Sequence, residues 1–119
     1  MNGAESCLFT PVGEQASGNI FMRKFRAQYA GQEIQGHTHN FDHTTIVFTG
    51  AVHVRGECPD GRIIEQDFHA PDSFLVKKDV KHTITAIEDN TEYWCVYSHR
   101  EPETGEVVQE YNGWGDAYV

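Results

Sequence analysis

Four histidines are the residues of this chain whose type and spacing could do chemistry. His37, His39 and His43 follow one another at spacings of two and four residues, and His82 lies further along in a second histidine-bearing stretch. Imidazole is a good ligand for zinc, copper, iron and nickel. Residues two apart on a β-strand share one face, so His37 and His39 can point to one centre, and His43 can join them after a short bend. The pattern therefore predicts a mononuclear metal site.

The composition is that of one acidic globular domain. The chain has 119 residues, of which 39% are hydrophobic and 12% aromatic, and this length favours a single domain. Its formal net charge of −9 argues against binding to nucleic acids or to anionic membranes. No run approaches about 18 apolar residues, and residues 1–13 lack the pattern of a secretory signal, so we expect a cytoplasmic protein. Its cysteines, Cys7, Cys58 and Cys95, are expected to be reduced thiols.

Turn signals separate short segments that are rich in β-branched and aromatic residues. Such regular spacing is typical of an all-β sandwich or barrel, and no amphipathic stretch is long enough to predict a helix. The predicted strands are 19–29, 42–49, 51–57, 62–70, 73–77, 82–87 and 91–98.

The two ends of the chain differ from this central region. Residues 1–18 are expected to form an irregular arm that could hold an edge strand or contact a second subunit. Residues 19–99 form the predicted barrel. Residues 100–119 contain several large aromatic side chains, which we expect to pack on the barrel or on a partner subunit.

Alternation of apolar and polar residues predicts which side chains face the interior. His53 alternates with Val52 and Val54, so we expect His53 to lie at the surface. In the segment 19–29, Arg23 interrupts an otherwise apolar face.

The histidine spacing resembles the first motif of the cupin superfamily, G-x5-H-x-H-x3 or x4-E-x6-G. The chain carries Gly31, His37, His39, His43 and Gly50 at these intervals. The departure is His43, which stands where the motif has glutamate. A histidine there can bind the metal or hydrogen-bond to one of its ligands.

The second cupin motif, G-x5-P-x-G-x2-H-x3-N, is present in degenerate form. His82 is retained, whereas Pro71, Lys77, Asp79 and Ala86 replace the first glycine, the proline, the second glycine and the asparagine. Asp79 can still occupy a tight turn.

The resemblance implies an all-β, double-stranded β-helix, a jelly-roll-like barrel in a single domain. It also implies one divalent transition metal inside the barrel, held by His37, His39, His43 and His82. Iron is the expected metal, with nickel, zinc and manganese as alternatives, because histidine-only sites discriminate poorly among metals. Cupins commonly dimerise, so a homodimer is expected.

A largely apolar pocket for a small molecule is expected beside the metal. The candidate lining residues are aromatic or carry a polar tip, and they are Tyr29, Gln35, Phe41, Phe48, Trp94 and Tyr97. No residue stands out as a general base.

Four neutral imidazoles would leave a divalent metal its full positive charge, which favours an anionic or enol-type substrate. The resemblance implies a metal-dependent enzyme, with dioxygenase-like chemistry as the first hypothesis. One alternative is a lyase or isomerase that uses the metal without oxygen, and another is a cupin that binds metal and ligand without turnover.

Overall fold

The computed structural model describes residues 8–98, 101, 103, 104 and 106, and of residues 35–37 it describes the backbone alone. The described chain forms nine strands and no helix. The strands are β1 (Thr10–Ser17), β2 (Ile20–Ala27), β3 (Glu33–His37), β4 (His43–Thr49), β5 (Ala51–Glu57), β6 (Ile63–His69), β7 (Asp72–Val76), β8 (Lys81–Ala86) and β9 (Thr91–Ser98). Accordingly, no helix in this part of the chain could cross a membrane.

The strands form two antiparallel sheets that face one another. One sheet has five strands in the order β1-β2-β9-β4-β7, and the other has four in the order β3-β8-β5-β6. Consecutive strands often lie in different sheets, as β3 and β4 do, which is the jelly-roll arrangement. The structure therefore confirms the predicted all-β, jelly-roll-like architecture.

The core lies between the two sheets and is built from the inward face of each strand. Tyr93, which is fully buried on β9, is its largest side chain. The ring of Phe25 stacks on Tyr93 at 5.2 Å between centroids, and Phe9 meets it edge-on at 4.9 Å. Each large apolar side chain buried in this way contributes about 1.5–3 kcal/mol relative to an exposed one. The other buried members of this cluster are Ala27, Val47, Val52, Ile84 and Ala86.

The N-terminal region contains an edge strand, which is one of the two alternatives that the sequence leaves open for it. Residues Thr10–Ser17 form the edge strand β1, which pairs with β2, and Phe9 belongs to the core. All but one of the side chains of β1 are exposed, so the strand has no buried face for an alternating pattern to reveal. Residues 1–7 and most of the segment 100–119 lie outside the described residues, and so does the expected packing of the aromatic tail.

Two turns, one after β4 and one before β8, contain residues with a positive φ. Gly50, in the β4–β5 hairpin, has φ of +72°, and a Cβ there would lie 2.8 Å from the Cα of Thr91. Only glycine fits this close approach. Asp79 has φ of +63° in the turn before β8, so it adopts the left-handed conformation of the motif glycine that it replaces.

Candidate metal centre

Three of the four predicted ligands converge between the sheets. One ring nitrogen from each of His39, His43 and His82 lies within 4.8 Å of the others. The ring centroids are 5.1 Å apart for His39 and His43, 5.2 Å for His43 and His82, and 5.6 Å for His39 and His82. The Cα of His37 is the register partner of His82 between β3 and β8. The side chain of His37 lies outside the described residues.

Each histidine of this cluster comes from a different element. His43 is the first residue of β4 in the five-stranded sheet, and its side chain is buried. His82 is the second residue of β8 in the opposite sheet and is also buried. His39 is half-buried in the loop between β3 and β4. The cluster therefore joins the two sheets at one end of the barrel.

The loop that carries His39 is held by the turn that precedes His82. The backbone N–H of Asp79 donates to the carbonyl of His39 at 2.8 Å. The backbone N–H of Lys78 donates to the carboxylate of Asp42, also at 2.8 Å. These two bonds fix the first histidine motif against the second.

The protonation of His82 follows from its backbone contact. Its Nδ1 lies 3.1 Å from the carbonyl oxygen of Val80, which can only accept a hydrogen bond. Nδ1 therefore carries the proton in the neutral ring, and Nε2, which is buried, keeps its lone pair. A backbone carbonyl in this role commonly orients a metal-binding histidine.

The donor set fits a divalent transition metal. Three neutral imidazoles provide nitrogen lone pairs within 4.8 Å of one another, and imidazole suits several first-row metals. If two of these rings each bound a second proton, two positive charges would lie close together at a buried position, which is unfavourable. A cation shared by the three lone pairs removes that conflict.

A cavity of about 70 Å³ opens beside the three histidines. It is lined by apolar side chains from both sheets together with a guanidinium, a thiol and two phenols. The lining residues besides the histidines are Arg23, Phe25, Ile34, Ile84, Tyr93, Cys95 and Tyr97.

Two of the predicted pocket residues lie at this cavity or against it. Tyr97 lines it, and the ring of Phe41 packs on Tyr97 at 4.8 Å and on His39 at 5.0 Å. Tyr29 is exposed in the turn after β2 and does not line the cavity. The side chain of Gln35 lies outside the described residues.

Phe48 and Trp94 are on the opposite side of the sheet from the cavity, which differs from the prediction. Side chains alternate along β9, so Trp94 faces outward because Tyr93 and Cys95 face inward. Its indole Nε1–H donates to Glu92 at 3.0 Å, and the exposed ring of Phe48 packs on it at 4.4 Å between centroids. An aromatic residue in a strand carries no signal for which face it occupies.

Two cavity residues had other interpretations in the sequence. Arg23 interrupts an apolar face in the sequence. A charged residue on an inward face indicates that this face borders a polar site, and Arg23 does line the cavity. Cys95 is one of the three cysteines that the sequence predicts to be reduced thiols. Burial raises the pKa of Cys95 to about 11, so it is a neutral thiol at neutral pH, and its Sγ lies 3.8 Å from the Thr45 hydroxyl.

Comparison with known proteins identifies the fold. No protein-family model matches the chain, and no curated protein matches its sequence. Among solved structures, Bacillus subtilis oxalate decarboxylase, a protein with Mn(II) centres, superposes with a TM-score of 0.65 and 18% identity. The superposition covers 85% of this chain and 30% of that one.

Two further solved structures, with lower TM-scores, have the same fold. KdgF from Halomonas sp. has a TM-score of 0.60 and 18% identity, with 80% of both chains covered. Oxalate oxidase has a TM-score of 0.57 and 13% identity, with 66% of this chain and 40% of that one covered. The chain spans only 22% to 30% of the oxalate decarboxylase chains that it matches. Together with the two histidine motifs, these likenesses show that the chain has the cupin fold.

Proposed function

We propose that this cupin holds one divalent transition metal and acts as a metal-dependent enzyme on a small anionic or enol-type substrate. The observation that carries the proposal is the convergence of His39, His43 and His82 at the wall of a small cavity. A structural role alone would not require three imidazoles at one point in the interior.

The proposed ligands are His39, His43 and His82, with His37 as the fourth. His43 is proposed as a ligand because one of its ring nitrogens lies within 4.8 Å of those of the other two histidines. Iron is our first choice of metal from the sequence. Manganese gains support from oxalate decarboxylase, whose Mn(II) centres lie in the same fold. Histidine donors alone do not separate these metals.

The bound metal would supply Lewis-acid stabilisation of negative charge on a substrate oxygen. The chain's own residues restrict and orient the substrate. Phe25, Ile34 and Ile84 line the cavity and make much of its wall apolar. The phenol of Tyr97 can donate a hydrogen bond to a substrate oxygen, since burial raises its pKa above the ordinary value.

Dioxygenase-like chemistry is our first choice of reaction. A lyase that uses the metal without net oxygen consumption is the second candidate, supported by the likeness to a decarboxylase. Oxygen uptake measured with an electrode, on the iron-loaded protein with small enols and thiols, separates the two. Uptake that needs both metal and substrate supports the dioxygenase. Substrate loss without oxygen uptake supports the lyase.

The deciding experiment is the metal content of protein purified without added metal. Wild type is compared with His39→Ala, which removes the most exposed member of the cluster and so disturbs packing least. His53→Gln, at the surface, is the control variant. We expect about one equivalent of a transition metal in wild type and in the control, and almost none in His39→Ala. Wild-type protein that contains no metal, and takes up none from iron, manganese, nickel or zinc solutions, would overturn the proposal.

A further inference from the structure

A row of polar side chains crosses the inner face of the five-stranded sheet. Its members are direct cross-strand partners on four consecutive strands, and they are Glu14, Arg23, Cys95 and Thr45. On one side of this row, Phe25, Tyr93 and Val47 are cross-strand partners, and on the other side Phe21 pairs with Tyr97. The polar row is therefore flanked on both sides by large apolar residues.

The polar row reaches the cavity of the histidine cluster. Arg23 and Cys95 line that cavity together with His39, His43 and His82. Thr45 lies behind Cys95, fully buried. Arg23 is the one permanently charged side chain among the described residues that line this space. None of those residues is acidic, so Arg23 is the permanent charge that the cavity wall presents to a ligand.

Arg23 keeps most of its donors available. Its Nε lies 3.1 Å from a carboxylate oxygen of Glu14, and the two side chains are about half-exposed, at 47% and 57%. A guanidinium has five N–H donors, and Glu14 engages it through Nε, so the donors on the two terminal nitrogens can bind a second anion. Planar, bidentate binding of a carboxylate is the interaction that arginine performs best.

The size of the cavity limits what such an anion can be. A volume of about 70 Å³ is roughly that of two water molecules in the liquid. Covalently bonded atoms lie closer together than separate water molecules, so a ligand there has at most on the order of five non-hydrogen atoms. A ligand of this size that fills the cavity touches both the guanidinium end and the imidazole end. It therefore needs one oxygen that accepts hydrogen bonds from the guanidinium and a second oxygen that faces the imidazoles.

We propose that Arg23 is a specificity-determining residue that binds the carboxylate of a small 2-hydroxy or 2-oxo acid, whose second oxygen faces the histidine cluster. This inference rests on the proposed metal site and narrows its substrate class. Glu14 competes for the same guanidinium and so weakens the binding of the acid.

The test uses the full chain loaded with cobalt(II), whose visible absorption reports ligands that reach the metal. The probes are glycolate, which has a carboxylate and a hydroxyl, and glycolamide, which has the same size without the charge. Azide serves as an anion that binds the metal directly. The variants are Arg23→Gln, Arg23→Lys and Glu14→Gln. Arg55→Gln is the matched control, because Arg55 is a strand arginine with 43% exposure and its own ion pair to Glu57.

We expect Arg23→Gln to weaken glycolate binding by about tenfold or more, the usual effect of losing a hydrogen bond to a charged group. Glycolamide and azide should change by about threefold or less. The glycolate affinity of Arg23→Lys should lie between those of wild type and Arg23→Gln, because lysine keeps the positive charge and loses the planar pair of N–H donors. Glu14→Gln should tighten glycolate binding by up to about threefold, the scale of an exposed ion pair. Arg55→Gln should match wild type.

Three results would overturn the inference while cobalt uptake stays intact. One is unchanged glycolate affinity in Arg23→Gln, another is equal loss of all three probes, and the third is a wild type that binds glycolate no better than glycolamide. Absence of cobalt uptake in wild type is a different failure, which overturns the proposed function and this inference with it.

Discussion

The surface residue His53 and the interior cluster of His39, His43 and His82 differ in the charges of the groups around them. On the outer face of β5, Nδ1 of His53 lies 2.6 Å from Asp67 and Nε2 lies 3.2 Å from Glu65. The hydrogen bonds to Asp67 and then to Glu65 raise the pKa of His53 above its usual value. In the interior, His39, His43 and His82 share a cavity in which no acidic side chain is among the described lining residues.

The comparison shows that neighbouring groups decide what a histidine can bind. Carboxylates beside both nitrogens make His53 a site for a proton. At His82 the backbone carbonyl of Val80 accepts a hydrogen bond from Nδ1–H, so Nε2 is the ring nitrogen that carries the lone pair. The two partners of His53 come from the adjacent strand β6, whereas the inner cluster needs one loop and two strands from different sheets. The inner arrangement is therefore the more demanding to assemble.

The largest expected difference between the two environments is in metal-dependent stability. Metal at about 100 times its dissociation constant should stabilise the folded chain by about 2.7 kcal/mol. For a domain of this size, that corresponds to a rise in Tm on the order of 10 °C. Calorimetry with and without metal should show this rise in wild type and in His53→Gln, and none in His39→Ala. An equal rise in His39→Ala would mean that the metal binds elsewhere.

A smaller effect, on metal affinity, is expected when the hydrogen bond between Asp42 and Lys78, which joins the two histidine motifs, is removed. Asp42→Ala removes the acceptor for the Lys78 N–H, so the loop that carries His39 loses one of its two described ties to the turn before β8. Supporting contacts of this kind commonly change metal affinity by about tenfold or more. Competition with a chromophoric chelator should show weaker binding in Asp42→Ala.

Asp42→Asn is the matched control for this contact, because its amide oxygen can still accept the hydrogen bond. It should bind metal about as tightly as wild type. Asp42→Ala protein with wild-type affinity would show that the second tie, from Asp79 to the carbonyl of His39, is sufficient.

The sequence predicted most strands because turn residues bound short segments rich in β-branched and aromatic residues, and β4, β8 and β9 also alternate in burial. Seven strands follow in this way; the bounds of β5 and β9 match, and the ends of the other five differ by at most two residues. The strand β1 has almost no buried side chain, and β3 has five residues with a register shift between Ile34 and His37. Neither strand carries an alternating pattern, so neither was predicted as a regular element.

The candidate site was predictable to the extent that spacing determines it. The motif spacing identified His39, His43 and His82, which the fold brings together. The residues that line the cavity were less predictable. Phe48, Trp94 and Tyr97 are all aromatic residues in strands, and only the face of the sheet on which each lies separates Tyr97 from the other two. Arg23 was visible as a break in an apolar face, and only the closure of the two sheets shows that this face borders the histidines.

The smallest expected effect concerns the outer histidine and its dependence on pH. Because the folded pKa of His53 is raised, protonated His53 stabilises the folded state fully below the unfolded pKa of about 6.5. That contribution is lost as the pH rises through the folded pKa. At this partly exposed site, solvent screening limits it to about 0.5 kcal/mol. Urea unfolding of metal-free wild type and His53→Gln should therefore show a stability difference near pH 5.5 that shrinks by pH 8.5 and weakens with added salt. Metal uptake should be the same in both proteins. A difference that grows as the pH rises would mean that Asp67 and Glu65 do not favour the protonated ring, and the contrast between the two histidine environments would fail.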